Sequence, residues 1–110
     1  MGRRARTAAV RWLSGEVFGG WPGVNRIEAQ TRRDNRAMRV VLRCCGYVKE
    51  AHYRRAWPAE DSVVHDGIGY ALLRDDWERW TTTPVDWTAT SRQASPPACR
   101  SGGGGRRNGR

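Results

Sequence analysis

Arg32, Arg36, Arg39 and Arg43 recur at intervals of four, three and four residues. Wound as an α-helix at about 100° per residue, the four side chains fall within one narrow wedge. Ile27, Met38, Val41 and Cys45 gather on the opposite side. Guanidinium groups one helical turn apart, roughly 5–6 Å, match the spacing of phosphates along a nucleic-acid strand. The chemistry this pattern predicts is electrostatic contact with a polyanion, with Arg32, Arg36, Arg39 and Arg43 as candidate nucleic-acid-binding residues. The competing reading is a solvated cationic face, or one that pairs with acids elsewhere in the chain.

Other reactive residues form weaker patterns. Cys44, Cys45, His52 and His65 invite a zinc reading, but adjacent cysteines and histidines thirteen residues apart do not have the usual paired ligand spacing. Cys45 falls on the apolar side and reads as a core thiol. Asp61, His65 and Asp66 are a local acid/base cluster, and Asp75-Asp76 could hold a divalent metal. Neither has a supporting nucleophile or metal-nuclease pattern, so no enzymatic activity, metal or cofactor is expected. Trp beside Arg, as in Arg11-Trp12 and Arg79-Trp80, could stack on unpaired bases.

The elements that must position these residues follow from periodicity and punctuation. Asn25 is a candidate N-cap with Glu28 in the capping-box place, which predicts a helix through about residue 44 with Gly46 as its C-cap. Met38 to Val48, rich in β-branched residues, is an alternative strand. Residues 1–9 read as a flexible basic arm. Val10 to Phe18 reads as a short hairpin turning at Ser14-Gly15, or as a frayed helix, before a break at Gly19 to Gly23. Lys49 to Ala56 is a short helix candidate, stopped by Trp57-Pro58. Tyr70, Leu73, Trp77 and Trp80 recur at helical spacing, so Asp66 to Trp80 is predicted as a second, core helix with Arg74–Glu78 and Asp75–Arg79 pairs outside. The competing reading places a hairpin turn at Asp66-Gly67. Val85 to Thr90 is a short extended candidate, and residues 91–110 read as a disordered Gly/Arg-rich tail.

At 110 residues the chain is one small domain, expected over residues 10–90. Its fold class is predicted as mainly α, with a small α+β domain carrying an N-terminal hairpin as the alternative. Mean hydropathy is −0.78 and there are six Trp, so Trp is expected to anchor a thin core. Net charge is +9, distributed as +9 over residues 1–59, −5 over 60–90 and +5 over 91–110. Such a balance points to a polyanionic partner. Yet Arg outnumbers Lys 19 to 1, which translation of G/C-rich DNA also produces. Three cysteines without a secretory signal suggest a reducing, intracellular compartment. No apolar run approaches the roughly 18 residues that span a bilayer. The expected function is a small basic accessory protein that binds nucleic acid through the arginine-lined helix. The alternatives are a module that uses Trp-rich and acidic surfaces against another protein, an acidic protein surface as partner, or a poorly ordered product of a G/C-rich reading frame.

Overall fold

A computed structural model describes residues 2–58 and 63–88. The elements run α1 (Arg3–Gly20), β1 (Arg26–Arg32), α2 (Arg36–Cys44), β2 (Val48–Trp57), β3 (His65–Leu73) and α3 (Arg74–Arg79). The strands form one antiparallel sheet in the order β1-β3-β2, so the last strand lies in the middle. The architecture is α+β, which overturns the mainly α expectation; the α+β alternative is closer, although its hairpin is absent.

The long central helix is the largest correction. Arg26–Arg32 is a strand, because RIEAQTR alternates strictly: Ile27, Ala29 and Thr31 turn inward, while Arg26, Glu28 and Gln30 are exposed. The helix begins ten residues later than predicted. Asn35, not Asn25, is its cap: the Asn35 side chain accepts from the Met38 amide at 3.1 Å. Its end agrees with the prediction, since Gly46 adopts the left-handed conformation at φ +88° that glycine tolerates.

Lys49 to Ala56, expected as a helix, belongs to β2, and most of Asp66 to Trp80 belongs to β3. Pairing explains both. In β3, Ile68, Tyr70 and Leu72 face the core, opposite Thr31, Ala29 and Ile27 of β1. Gly67, Gly69 and Ala71 face the other way, and β2 side chains lie over the two glycines. A Cβ on Gly69 would lie 3.3 Å from both Ala51 Cβ and the Tyr53 ring, and one on Gly67 would meet the Trp57 ring at 3.6 Å. The missing side chains on β3 are therefore what lets these β2 residues close over the central strand. β2 also carries two irregularities in its register, and Arg55 has a positive φ of 51°.

Upstream, residues 3–9, read as a flexible arm, are the first turns of α1, and Val10 to Phe18 continues that helix instead of forming a hairpin. Ser14 and Phe18, four residues apart, are its buried positions. Phe18 joins Leu42 of α2, Tyr47, and Ile68, Tyr70 and Leu72 of β3 in the core. Trp is not the main anchor. Trp77 packs against that cluster, but Trp12, Trp21 and Trp87 are exposed and Trp80 is 95% exposed. The Arg74–Glu78 and Asp75–Arg79 pairs are present on α3. The expected tail at residues 91–110 lies outside the described residues, as do positions 89 and 90 of the extended candidate Val85 to Thr90, whose described residues, 85–88, form no strand. No helix among the described residues is long and apolar enough to cross a membrane.

Candidate functional site

α1 starts without the usual protection of a helix end. Its N-cap, Gly2, has no side chain to accept the first amides, and the first turn holds no acid. The first helical bond is from Arg6 N–H to the Gly2 carbonyl, so the amides of Arg3, Arg4 and Ala5 have no intrahelical acceptor. Arg3 and Arg4 are exposed beside them. Amide donors, a positive helix end and two guanidinium groups make a donor set suited to phosphate. Sequence reasoning missed this feature because residues 1–9 were read as an arm. The signal available was Gly2 followed by an Ala-rich stretch with helical spacing up to Phe18.

Along α1, toward its middle, a cleft of about 1030 Å³ opens between that helix, the end of α2, and α3; its lining includes Arg11, Ser14, Cys45, Asp76 and Trp77. Arg11 reaches across to the Cys44 carbonyl at 3.0 Å. Ser14 Oγ donates to the Val10 carbonyl at 2.8 Å, which leaves the Tyr47 hydroxyl to donate to Ser14 across the second contact of 2.8 Å. Burial pushes the Tyr47 phenol above its ordinary value, with Ser14 opposing in part, so this proton stays in place at neutral pH. Burial also pushes the Cys45 thiol up, against the opposing charge of Arg11. Cys45 donates instead to the Thr7 carbonyl at 3.4 Å, the behaviour of a structural thiol.

The four candidate arginines do not share one helix. Arg32 lies on β1 and is bonded to Asp34 at 2.6 Å, while Arg36, Arg39 and Arg43 lie on α2. Arg39 points inward, donating to the Tyr70 hydroxyl at 3.1 Å and to the Arg33 carbonyl at 3.0 Å. Arg36 and Arg43 are exposed.

The acid/base cluster is rearranged. Asp66 pairs with His52 on the neighbouring strand, at 2.7 Å, not with His65, and Asp61 lies outside the described residues. Asp66 also accepts the Arg55 amide at 2.7 Å, fixing the positive-φ turn of β2. Asp75 and Asp76 diverge: Asp75 pairs with Arg79, and Asp76 is buried against Thr83. Among the described residues no three His, Cys, Asp or Glu side chains form a metal-sized group.

The Asp66 carboxyl sits below its ordinary 3.8, held there first by the Arg55 amide and second by His52. A depressed carboxylate stabilises the fold above its unfolded value, and that contribution is lost as pH falls through the lower folded value. The Arg55 amide proton should therefore titrate in NMR spectra below pH 3.8 in the parent, and not in Asp66→Asn. A titration at the ordinary value would show that the hydrogen bonds are not maintained in solution.

No family model matches the chain, and no curated relative matches it significantly. Solved structures do. A ribosomal-protein-S5-alanine acetyltransferase from Vibrio fischeri superposes with a TM-score of 0.62 at 25% identity, over 70% of this chain and 41% of that one. A probable acetyltransferase gives 0.59 at 28% identity, over 64% and 39%. A probable acetyltransferase of the GNAT family from Chromobacterium violaceum gives 0.59 at 25% identity, over 66% and 35%. The fold resembles that of GNAT acetyltransferases. This chain spans only 35% to 41% of the length of these three structures.

These neighbours are enzymes of acyl transfer. They overturn the expectation of a nucleic-acid-binding accessory protein and, with it, the expectation of no enzymatic link. The physical reason is local. The arginine ladder depended on one continuous helix from Asn25 to Cys45, and the chain instead folds that stretch as strand, turn and short helix.

Proposed function

We propose that this chain contributes part of a coenzyme-A-dependent N-acetyltransferase. The observation that carries the reading is the superposition of about two thirds of the chain on acetyltransferases at 25–28% identity. Such enzymes move an acetyl group from a thioester to an amine. The neutral nitrogen attacks the thioester carbonyl, a C–N bond forms, the C–S bond breaks, and the proton lost by nitrogen leaves with the thiol. Coenzyme A would supply the activated acyl group and a polyanionic handle of phosphates. The donor set at the start of α1 fits that handle: the amides of Arg3, Arg4 and Ala5 have no capping side chain and no intrahelical acceptor, and would donate to a phosphate there. Arg3 and Arg4 would add charge-assisted bonds to phosphate. The S5-specific neighbour acts on an alanine of a protein, so a protein amine is the acceptor class this reading favours.

Isothermal titration of the full chain with acetyl-coenzyme A tests the proposal. Saturable binding is expected, weakened by roughly tenfold or more when Arg3→Glu and Arg4→Glu are combined, because two attractive charges become repulsive. Binding that is absent in a cooperatively folded parent would overturn the coenzyme reading. Binding that is indifferent to the two substitutions would move the phosphate site elsewhere.

A further inference from the structure

We propose that the corner where β1 turns into α2, beside the kink of β2, is a docking surface for a carboxylate-rich segment of a protein partner, and that this partner is the acetyl acceptor. The surface stands on geometry alone. The role of its partner as acceptor rests on the acyl-transfer reading. Arg32 of β1 and Tyr53 of β2 both pair with Gly67 of β3, so they lie in one row across the sheet, about 10 Å apart at two strand spacings. Asp66 ties the turn after β1 to the kink of β2. Its carbonyl accepts the Arg33 amide at 2.8 Å, while its carboxylate accepts the Arg55 amide and meets His52, both at 2.7 Å. Six arginines, Arg32, Arg33, Arg36, Arg39, Arg54 and Arg55, come together here against two acids, Asp34 and Asp66.

Both acids are already committed. Asp34 holds Arg32 at 2.6 Å, and Asp66 is taken by the Arg55 backbone and His52. Arg39 turns inward to the Tyr70 hydroxyl and the Arg33 carbonyl. The guanidinium groups of Arg33, Arg36, Arg54 and Arg55 are left on exposed residues, with no hydrogen-bond acceptor among the described residues. Arg55 adds a second observation. Its backbone sits at φ 51°, a conformation that favours glycine, and Asp66 holds an arginine there instead. Strain maintained under an exposed cation suits a group kept in place for a partner. The coenzyme does not account for this charge. The start of α1 lies by the other end of α2, where Cys45 donates to Thr7 and Arg11 reaches Cys44. The nine residues of α2 rise about 13 Å. That exceeds the Debye length of about 8 Å at physiological salt, so a phosphate at α1 is screened from the corner. The four guanidinium groups stand on a turn, a helix and a kinked strand. Such uneven spacing suits carboxylates on adaptable side chains, which arginine binds with charge-assisted bonds, better than the regular phosphates of a nucleic acid.

Fluorescence anisotropy of the full chain without coenzyme tests the surface. The probes are a labelled peptide with a free amino-terminal Ala followed by Glu and Asp, the same peptide with Gln and Asn in their place, and an oligoribonucleotide of equal length. The acidic peptide should bind, more weakly as salt rises. The amide peptide should bind at least about tenfold more weakly. Combining Arg33→Gln with Arg54→Gln should weaken the acidic peptide roughly tenfold. Combining Arg43→Gln with Lys49→Gln removes the same charge from exposed positions outside the corner and should change binding little. Arg55→Gly should weaken binding without lowering the melting temperature, because glycine accepts the left-handed backbone; this keeps the test decisive where the Arg33, Arg54 variant fails to fold. Equal losses from the two charge-matched pairs, an amide peptide that binds as tightly, or an Arg55→Gly that lowers the melting temperature and keeps binding would each overturn the surface. An oligoribonucleotide that binds tighter than the peptide and is lost with Arg33 and Arg54 would overturn the choice of a protein partner. Titration with acetyl-coenzyme A separates the two readings. A chain that binds the coenzyme and not the acidic peptide overturns this inference alone. A chain that binds the peptide and not the coenzyme keeps the surface and overturns the acceptor role together with the acyl-transfer reading.

Discussion

Phe18→Ala is expected to abolish cooperative folding of the chain near room temperature. Phe18 is 2% exposed and is among the largest side chains in the core. Its ring meets Trp77 at a centroid distance of 5.1 Å, and the Arg74 guanidinium lies 4.9 Å from its centre. Arg74 is itself fixed by bonds of 2.7 Å to the carbonyls of Val24 and Trp21. One side chain thus joins the end of α1, the connection into β1 and the start of α3. Truncating a buried Phe costs about 3–5 kcal/mol through lost burial and the cavity left behind. A domain this small has a total stability of the same order. Phe18→Leu, which keeps most of the volume, should lower the melting temperature without erasing the transition. Trp12→Ala, at a side chain open to solvent, should leave it nearly unchanged. Circular dichroism melts of the three variants check the order. An intact melt for Phe18→Ala would mean that α1 is not docked on the sheet.

The importance of Phe18 was hard to see in the sequence, and the reason is instructive. It is the only Phe among six Trp, and aromatic bulk alone pointed to Trp as the anchor. Position decided otherwise: Trp12 on α1 and Trp80, just past the end of α3, are exposed. Residues that could be read correctly were those fixed by local rules. Gly46 ends α2 because only its backbone accommodates the turn, and the i,i+4 pairs of α3 follow from helix spacing alone. Strands were missed because their pairing is non-local. Arg26–Arg32 shows a clear alternation, but its residues also favour helix, and only Ile68, Tyr70 and Leu72 across the ladder give the inward face something to bury against. In β3 the period-two pattern is masked, since Gly67 and Gly69 are small where β2 side chains lie close, not because the face is polar. The candidate site suffered from the same error. Once the Arg ladder is divided between β1 and α2, the phosphate-suited donors are found at the start of α1, a place whose charge was legible and whose helicity was not.

Asp76→Ala is expected to cost roughly 2–3 kcal/mol, as much as many core truncations, although it removes a charged residue from a basic protein. Asp76 is 3% exposed, on the short helix α3. Immediately after that helix Trp80 adopts a left-handed conformation at φ 56°, and the chain folds back over the helix end. Asp76 secures the return. Its backbone carbonyl accepts the Thr81 amide at 3.1 Å, and its carboxylate accepts the Thr83 amide at 3.0 Å and the Thr83 hydroxyl at 2.6 Å. Bonds to an ionised acceptor are stronger than neutral ones, and removing the acceptor leaves both Thr83 donors to find water. Because Thr81, Thr82 and Asp76 all line the cleft beside α1, the same change should loosen one of its walls. Thr83→Ala deletes the hydroxyl bond but keeps the amide bond, so it should cost clearly less than Asp76→Ala. Denaturant unfolding of the two single variants and the double variant forms a cycle that isolates the pair. A positive coupling of about 1 kcal/mol or more is expected, since the hydroxyl bond can be lost only once. Strict additivity would show that Asp76 stabilises α3 by its place in the first turn of the helix, through the helix dipole, and not by holding the segment that follows.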